Sequence, residues 1–349
     1  HSLIDVLKFL QKKEYSVPLR NSNKKNENKD SLDFKDVKGQ THAKRAFEIA
    51  AAGGHNLLLI GPPGAGKSML AKRMPSILPP LSLNEAIETT SIHSIAFRQG
   101  TIQGLIKNRP FRAPHHTISD VALVGGGTTP KPGEISMAHN GILFLDELPE
   151  FKRNALEVLR QPLEEGAVSI SRANMATEFP ANFTLIAAMN PCPCGHATDP
   201  NKSCECSSYS VQRYRSKISG PLLDRIDMHV QVSSIPLIEL QSSKTEETSS
   251  DIKKRVLRAR EIQEKRFNNS GHILCNTNLS PPQINTFCSL PKDARNLLEN
   301  AMNKLNFSAR SYHRILKVSR TIADLEGSPG ILSNHIAEAL HYRCLDRGN

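Results

Sequence analysis

The chain has 349 residues, 38% hydrophobic and 5% aromatic with no Trp, so it is long enough for two domains and apolar enough for a real core. No apolar run approaches a membrane span, and the start, His1-Ser-Leu-Ile-Asp-Val-Leu, has no signal pattern, so a cytoplasmic protein is expected. A net charge of +11 admits a polyanionic partner such as nucleic acid without requiring one, because basic surfaces gain affinity by releasing counterions.

Residues 1–19 carry Leu3, Val6, Leu7 and Leu10 at helical spacing, which reads as the last helix of an upstream domain. A first residue other than Met fits sequence missing before it. Residues 20–31 contain nothing apolar, so 20–32 reads as a solvated linker. From residue 33 the pattern becomes globular and stays so to about residue 240. Thr41–Ala52 is a good helix former ended by Gly53-Gly54.

Next comes the stretch on which the chain is organised. Leu57-Leu-Leu-Ile60 reads as a buried strand, and Gly61-Pro62-Pro63-Gly64-Ala65-Gly66-Lys67-Ser68 after it is a P-loop opening the helix that starts at Met69. Its glycines let backbone N–H groups turn toward a phosphate, and the helix N-terminus adds a favourable dipole. Lys67 is expected to reach the β- and γ-phosphates, and Ser68 to ligate Mg²⁺.

The gap that follows is long. Arg109-Pro-Phe-Arg-Ala-Pro-His-His-Thr117 and Gly125–Gly133 are basic and punctuated by Gly and Pro, so they read as an insertion that projects a loop. His115 and His116 read as loop surface ahead of a metal pair, because adjacent residues of an extended chain point to different sides. Gly141-Ile-Leu-Phe-Leu-Asp-Glu147 is a buried strand ending in two carboxylates, a Walker B pattern. Asp146 would hold the Mg²⁺ shell and Glu147 would polarise the attacking water, so hydrolysis as well as binding is expected.

Asn154–Glu165 reads as a helix closed by Gly166, and Ala167–Arg172 as the start of a hairpin with Arg172 near its tip and Phe183–Met189 returning. Asn190 then ends a strand where a polar side chain could contact a γ-phosphate, if that strand neighbours the Walker B strand. Cys192, Cys194, Cys204 and Cys206 follow as two Cys-X-Cys pairs separated by nine residues. They can supply four thiolates to a structural Zn²⁺; a disulfide or reduced thiols are the alternatives, and His196 can replace one cysteine. Arg225, between Asp224 and Asp227, is either a local salt-bridge partner or a finger into a neighbour's nucleotide.

Residues 241–250 form a polar linker, and 251–349 read as an all-helical lid. Its first helix is basic, which reads first as a solvated face. Ser308 looks like an N-cap with Arg310 in the first turn, where a cation opposes the helix dipole and so is expected to serve function.

Phe111-Arg-Ala-Pro-His-His116, Gly133–Glu147, Asn190-Pro-Cys-Pro-Cys-Gly195 and Gly220-Pro-Leu-Leu-Asp-Arg-Ile-Asp227 resemble the magnesium-chelatase-like AAA+ ATPases of the ComM/YifB type. The resemblance runs from residue 33 to the end. It implies an α/β AAA+ P-loop NTPase: a parallel sheet between helices, a helix-2 insert at 111–133, a pre-sensor-1 hairpin around Arg172 and a C-terminal helical lid. An N-terminal Lon-protease-like domain normally precedes such a chain. The implied activity is that of a hexameric ring motor with nucleotide at its subunit interfaces, using ATP and Mg²⁺ as a DNA helicase that promotes branch migration in natural transformation. The resemblance makes Asn190 sensor 1, Arg225 a finger acting in trans, Arg310 sensor 2 and Gln40 an adenine contact. Arg172, His115, His116 and Lys131 become candidate contacts to single-stranded or branched DNA. A chelatase-type motor remodelling a protein partner for metal insertion is the alternative.

Overall fold

The computed structural model describes residues 32–96, 104–127, 130–172, 175–199, 202–235, 246–267, 275–305 and 307–343. The expected helix at 1–19, the linker up to residue 31 and residues 241–245 of the second linker lie outside them, as does the end of the lid beyond Arg343. Described strands are β1 (Leu57–Ile60), β2 (Phe111–Arg112), β3 (Gly125–Gly126), β4 (Lys131–Pro132), β5 (Ile142–Leu145), β6 (Ala167–Arg172), β7 (Met175–Pro180), β8 (Thr184–Met189) and β9 (Met228–Gln231). One five-stranded sheet has the order β2-β5-β8-β1-β9, and every pairing in it is parallel.

The strands are short and continuously apolar because both faces are covered. Leu57 and Leu59 of β1 enter one apolar cluster, with Phe47, Phe144, Ile186 and Val230. Leu58 and Ile60 point the other way, to Leu143, Leu145, Leu185 and Phe151. Burying one such Leu is worth about 1.5–3 kcal/mol, so β1 is held from both sides. This is the AAA+ P-loop fold, with a helical region following the sheet.

Several elements differ from expectation. The helix expected over Asn154–Glu165 is two, Arg153–Glu157 and Arg160–Glu165. Pro162 has no N–H for the Val158 carbonyl, and its ring crowds that carbonyl, so the helix breaks there. The hairpin beginning at Ala167 returns as β7, with Arg172 opposite Met175, while Thr184–Met189 is a separate strand of the central sheet. Phe179 of β7 joins Val168 and Ile170 in the core, so the hairpin carries its own apolar face. The segment 111–133 starts as a sheet edge rather than as a free loop, because Phe111–Arg112 pairs with Ile142–Leu143. Beyond it lie a helix at Asp120–Val124 and the antiparallel pair β3–β4.

The helical region comprises Ser249–Arg266, Pro281–Phe287, Lys292–Leu305, Ala309–Leu325 and Ser333–His341. Thr248 caps the first of these by accepting from the Asp251 N–H, so the helix begins inside the stretch read as linker. Ile252, Val256, Ile315, Ile322 and Ile336 share one core with Phe47 of the helix Thr41–Gly53. The basic face of Ser249–Arg266 is largely tied to protein: Arg255 pairs with Glu48 and Glu247, Arg266 with Asp324, and Arg260 donates to the Ala51 carbonyl at 2.9 Å.

Asp227 pins this region to the base of β1. It is almost fully buried, pairs with Arg314 of the helix Ala309–Leu325, and accepts from the Asn56 N–H at 2.9 Å. His55, whose Nδ1 is 3.7 Å from the same carboxylate, meets Thr321 Oγ1 at 2.7 Å through Nε2. Burial opposes the charge, yet Arg314 and His55 hold the Asp227 carboxyl well below its ordinary value of 3.8.

A carboxyl whose folded value is depressed contributes stability that is complete above the ordinary value and lost as pH falls through it toward the folded one. Asp227→Ala should cost about 3 kcal/mol, because Arg314 loses its counter-charge. In Asp227→Asn the loss of stability on acidification below about pH 4 should be shallower than in the parent chain. Denaturant titrations at neutral and acidic pH read both effects.

Candidate active site

The P-loop leaves β1 at its carboxyl end. Gly64 and Gly66 adopt φ of +79° and +87°, a left-handed conformation that disfavours any side chain. At Gly61 the constraint is space: a Cβ there would lie 2.1 Å from the Val232 carbonyl oxygen. Lys67 lies buried at the loop mouth, where Nζ donates to the carbonyls of Gly61 at 2.6 Å and Pro62 at 2.9 Å, and to Asn190 Oδ1 at 3.0 Å. Burial lowers its pKa, while Asp146 and Glu147 oppose that shift.

Register brings the remaining groups to the same rim. β8 lies between β1 and β5, with Met189 opposite Ile60 and Ala187 opposite Leu145. Gly61 and Asn190, each following its strand, therefore lie level, and Asp146 ends the neighbouring strand two residues further back on the same rim. Ser68 Oγ donates to Asp146 Oδ2 at 2.5 Å, and Asp146 Oδ1 accepts from the Glu147 N–H at 3.0 Å. Hydroxyl and carboxylate thus converge as a pair of hard oxygen donors fit for a divalent cation. Glu147 adopts φ +53°, a left-handed conformation uncommon for a residue with a side chain, and the side chain is 57% exposed.

His116 is a partner that sequence reasoning missed. Its Nδ1 lies 3.2 Å from Glu147 Oε2, and its ring packs on Phe151 and His115. The pairing of β2 with β5 makes the contact possible, because it sets the chain after Arg112 beside the end of the Walker B strand. His115 is exposed and bonds to Thr117 at 2.9 Å, and Lys131 is exposed on β4. Arg172 closes the hairpin through its backbone, but its side chain lies outside the described set.

Gln40 Nε2 donates to the Ser233 carbonyl at 2.6 Å and approaches the Ala65 carbonyl at 3.4 Å. It lines a cleft of about 540 Å³ with His42, Gln231, Ser233 and His341, beside the P-loop. Met69, in the first turn of the P-loop helix, is 39% exposed.

Arg225 and Arg310 lie elsewhere. Arg225 precedes β9 at the opposite end of the sheet, where its backbone carbonyl accepts from Asn56. Its guanidinium pairs with Glu164 rather than with Asp224 or Asp227 and donates to the Pro221 carbonyl at 2.6 Å. Nε has no acceptor among the described residues. Arg310 is exposed in the first turn of a helix capped by Ser308, and it adds to the positive field that lowers the Glu164 pKa after Arg225. Arg225 therefore contacts Glu164 at the end of the sheet away from this chain's own P-loop, and Arg310 acts on the same carboxylate only through its charge.

The thiols of Cys192, Cys194, Cys204 and Cys206 lie within 4.8 Å of one another. Cys192 is 3.3 Å from Cys194 and 3.7 Å from Cys204, and Cys194 is 3.6 Å from Cys204. Four sulfurs at ~2.3 Å from one tetrahedral ion would stand roughly 3.8 Å apart, so the donor set fits a zinc-sized cation. The His196 backbone amide and the neighbouring thiols hold the Cys194 thiol down at about 6, while in the absence of a cation Cys204 and Cys206 are pushed up, so the fit to a metal rests on the sulfur geometry. His196 instead faces Asp199, its Nδ1 3.6 Å from the carboxylate.

A P-loop, a Walker B pair and a polar strand end on one rim of a five-stranded parallel sheet define an AAA+ nucleotide-binding protein. Residues 33–240 match the family described as magnesium chelatase, subunit ChlI, and residues 246–343 match its C-terminal family. The chain belongs to this magnesium-chelatase-type AAA+ family. It is 50% identical over 352 residues to a protein of Haemophilus influenzae named competence protein ComM, covering 99% of this chain and 67% of the other. To YifB of Salmonella typhimurium it is 47% identical over 319 residues, 91% of this chain and 61% of that one. A more distant match, 24% identical over 190 residues, is to the DNA replication licensing factor mcm6 of Dictyostelium discoideum, covering 54% of this chain and 18% of it. The chain thus spans roughly two thirds of its nearer relatives' length. Among the described residues no helix is long and apolar enough to cross a membrane.

Gly61→Ala should push β9 from the P-loop, lowering both melting temperature and affinity for an ATP analogue. Gly64→Ala, with nothing within 4 Å, should change the melting temperature less while still straining the loop. Thermal melts beside analogue-binding titrations separate the two.

Proposed function

We propose that the chain is an ATP-hydrolysing motor that works as a ring of six, translocates on DNA and promotes branch migration of recombination intermediates during natural transformation. The observation that carries the reading is the division of the catalytic set: Lys67, Ser68, Asp146, Glu147 and Asn190 share one rim, while Arg225 pairs with Glu164 at the far end of the sheet. A neighbouring copy that brings its far end to this rim would complete the site.

Lys67 would exchange its carbonyl acceptors for the β- and γ-phosphate oxygens, and Gln40 with its cleft would receive the adenine. Ser68 and Asp146 would hold Mg²⁺, which supplies charge neutralisation at the phosphates when bound. Glu147 would orient and polarise water, Asn190 would contact the γ-phosphate, and His116 would fix the direction of the Glu147 carboxylate. Phosphate would compete with Glu164 for the neighbour's Arg225. Cys192, Cys194, Cys204 and Cys206 would hold a structural zinc.

DNA is favoured as the track by the +11 charge and by the names of relatives associated with competence and DNA replication. His115, Lys131 and Arg172 remain the candidate contacts, and a cytoplasmic location follows from this role. A motor that remodels a protein partner for metal insertion is the second reading, favoured by the description of the matched family.

Glu147→Gln should bind ATP as the parent does and lose turnover by about a hundredfold or more. Arg225→Ala and Lys67→Ala should each be inactive alone. Mixed, they should regain part of the rate, because some interfaces then pair an intact P-loop with an intact finger. No recovery at any mixing ratio, with mixed rings shown by native mass spectrometry, would exclude a shared site.

A further inference from the structure

The cysteine centre and the P-loop touch. Cys192, Cys194 and Gly195 form a tight turn in which the Gly195 N–H donates to the Cys192 carbonyl at 3.0 Å. At its end Gly195 adopts φ +85° and packs on the P-loop: a Cβ added there would lie 2.7 Å from Pro63 Cδ and 3.9 Å from Asn190 Cγ. Asn190 in turn accepts from Lys67, which also donates to the Pro62 carbonyl. Two thiols of the four-sulfur cluster thus lie immediately before the residue that meets Pro63, and Asn190 leads directly into the same turn.

We propose that the four-thiol centre is a positioning element of the nucleotide site, so that its metal loading sets affinity for ATP. The proposal rests on the zinc reading given above and adds the contact of Gly195 with Pro63. Between Pro191 and Ser207 the described loop has little of its own to hold it: Cys192 is its one buried apolar residue among those described. Four cysteines brought within 4.8 Å form no bond strong enough to hold the loop unless a cation lies between them. Without that cation the turn opens, Gly195 leaves Pro63, and Asn190 loses the geometry that holds Lys67. The P-loop, already rich in glycine, then has more conformations to surrender when it closes on phosphates.

The test uses the whole chain in three forms: loaded with zinc, stripped by chelator under reductant, and loaded Gly195→Ala. Elemental analysis gives zinc per chain, circular dichroism reports the fold, and a fluorescent ATP analogue with Mg²⁺ reports binding. The stripped chain and Gly195→Ala should both bind the analogue about tenfold or more weakly, as a small misplacement of positioning groups does. Gly195→Ala should keep one zinc and its helical signal. Pro63→Ala removes the other side of the contact without disturbing a left-handed residue, and its affinity should no longer depend on zinc. Equal binding by loaded and stripped chains, or undiminished binding by zinc-loaded Gly195→Ala, would overturn the coupling. A folded parent chain that takes up no zinc would overturn the metal reading beneath it, and elemental analysis alone tells that failure apart.

Discussion

Parallel registration of β8 between β1 and β5 is the constraint on which the site depends. A strand that rises about 3.3 Å per residue carries its exit point with it, so a slip of one residue would move Asn190 out of reach of Lys67. The register is fixed by burial on both faces. Ile186 and Ala188 enter one apolar cluster while Leu185, Ala187 and Met189 enter the other, so a shift would turn every side chain to the wrong side. Burial therefore fixes where each strand ends, while the loops beyond the ends need other contacts to hold them.

Asp227 applies the same logic at the other end of the sheet. One buried carboxylate fastens the helix Ala309–Leu325 to His55 and Asn56 at the start of β1, and Arg225 lies two residues before it. The helix that carries Arg310 and the turn that carries Arg225 are thus seated on one polar node. On the proposed reading, a movement of the helical region would carry both cations relative to the neighbour's phosphates together.

What could be read from the sequence was what is local. The P-loop, the Walker B carboxylates and the capped helix at Ser308 are short runs whose chemistry depends on neighbours in the chain, and the structure has them where expected. Spacing also exposed the cysteine pairs, and folding brings all four thiols together. The rest required long-range contacts. Nothing near His116 signals that it meets Glu147, because the contact follows from the pairing of β2 with β5. Arg225 stands between two aspartates in sequence but pairs with Glu164, because Asp227 is already taken by Arg314. The hairpin differs from the sequence expectation because Thr184–Met189 is an equally good strand, and only the pairing of Met175–Pro180 with β6 decides between them.

The central claim is that nucleotide turnover at this rim is coupled to DNA. It is tested most directly by the ATPase rate of the assembled chain with and without single-stranded and forked DNA, at low and at high salt. The account predicts stimulation by DNA that fades as salt rises, since contacts to phosphate release counterions. A rate indifferent to DNA at both salt concentrations, in rings shown to be assembled, would contradict it and favour a motor that acts on protein.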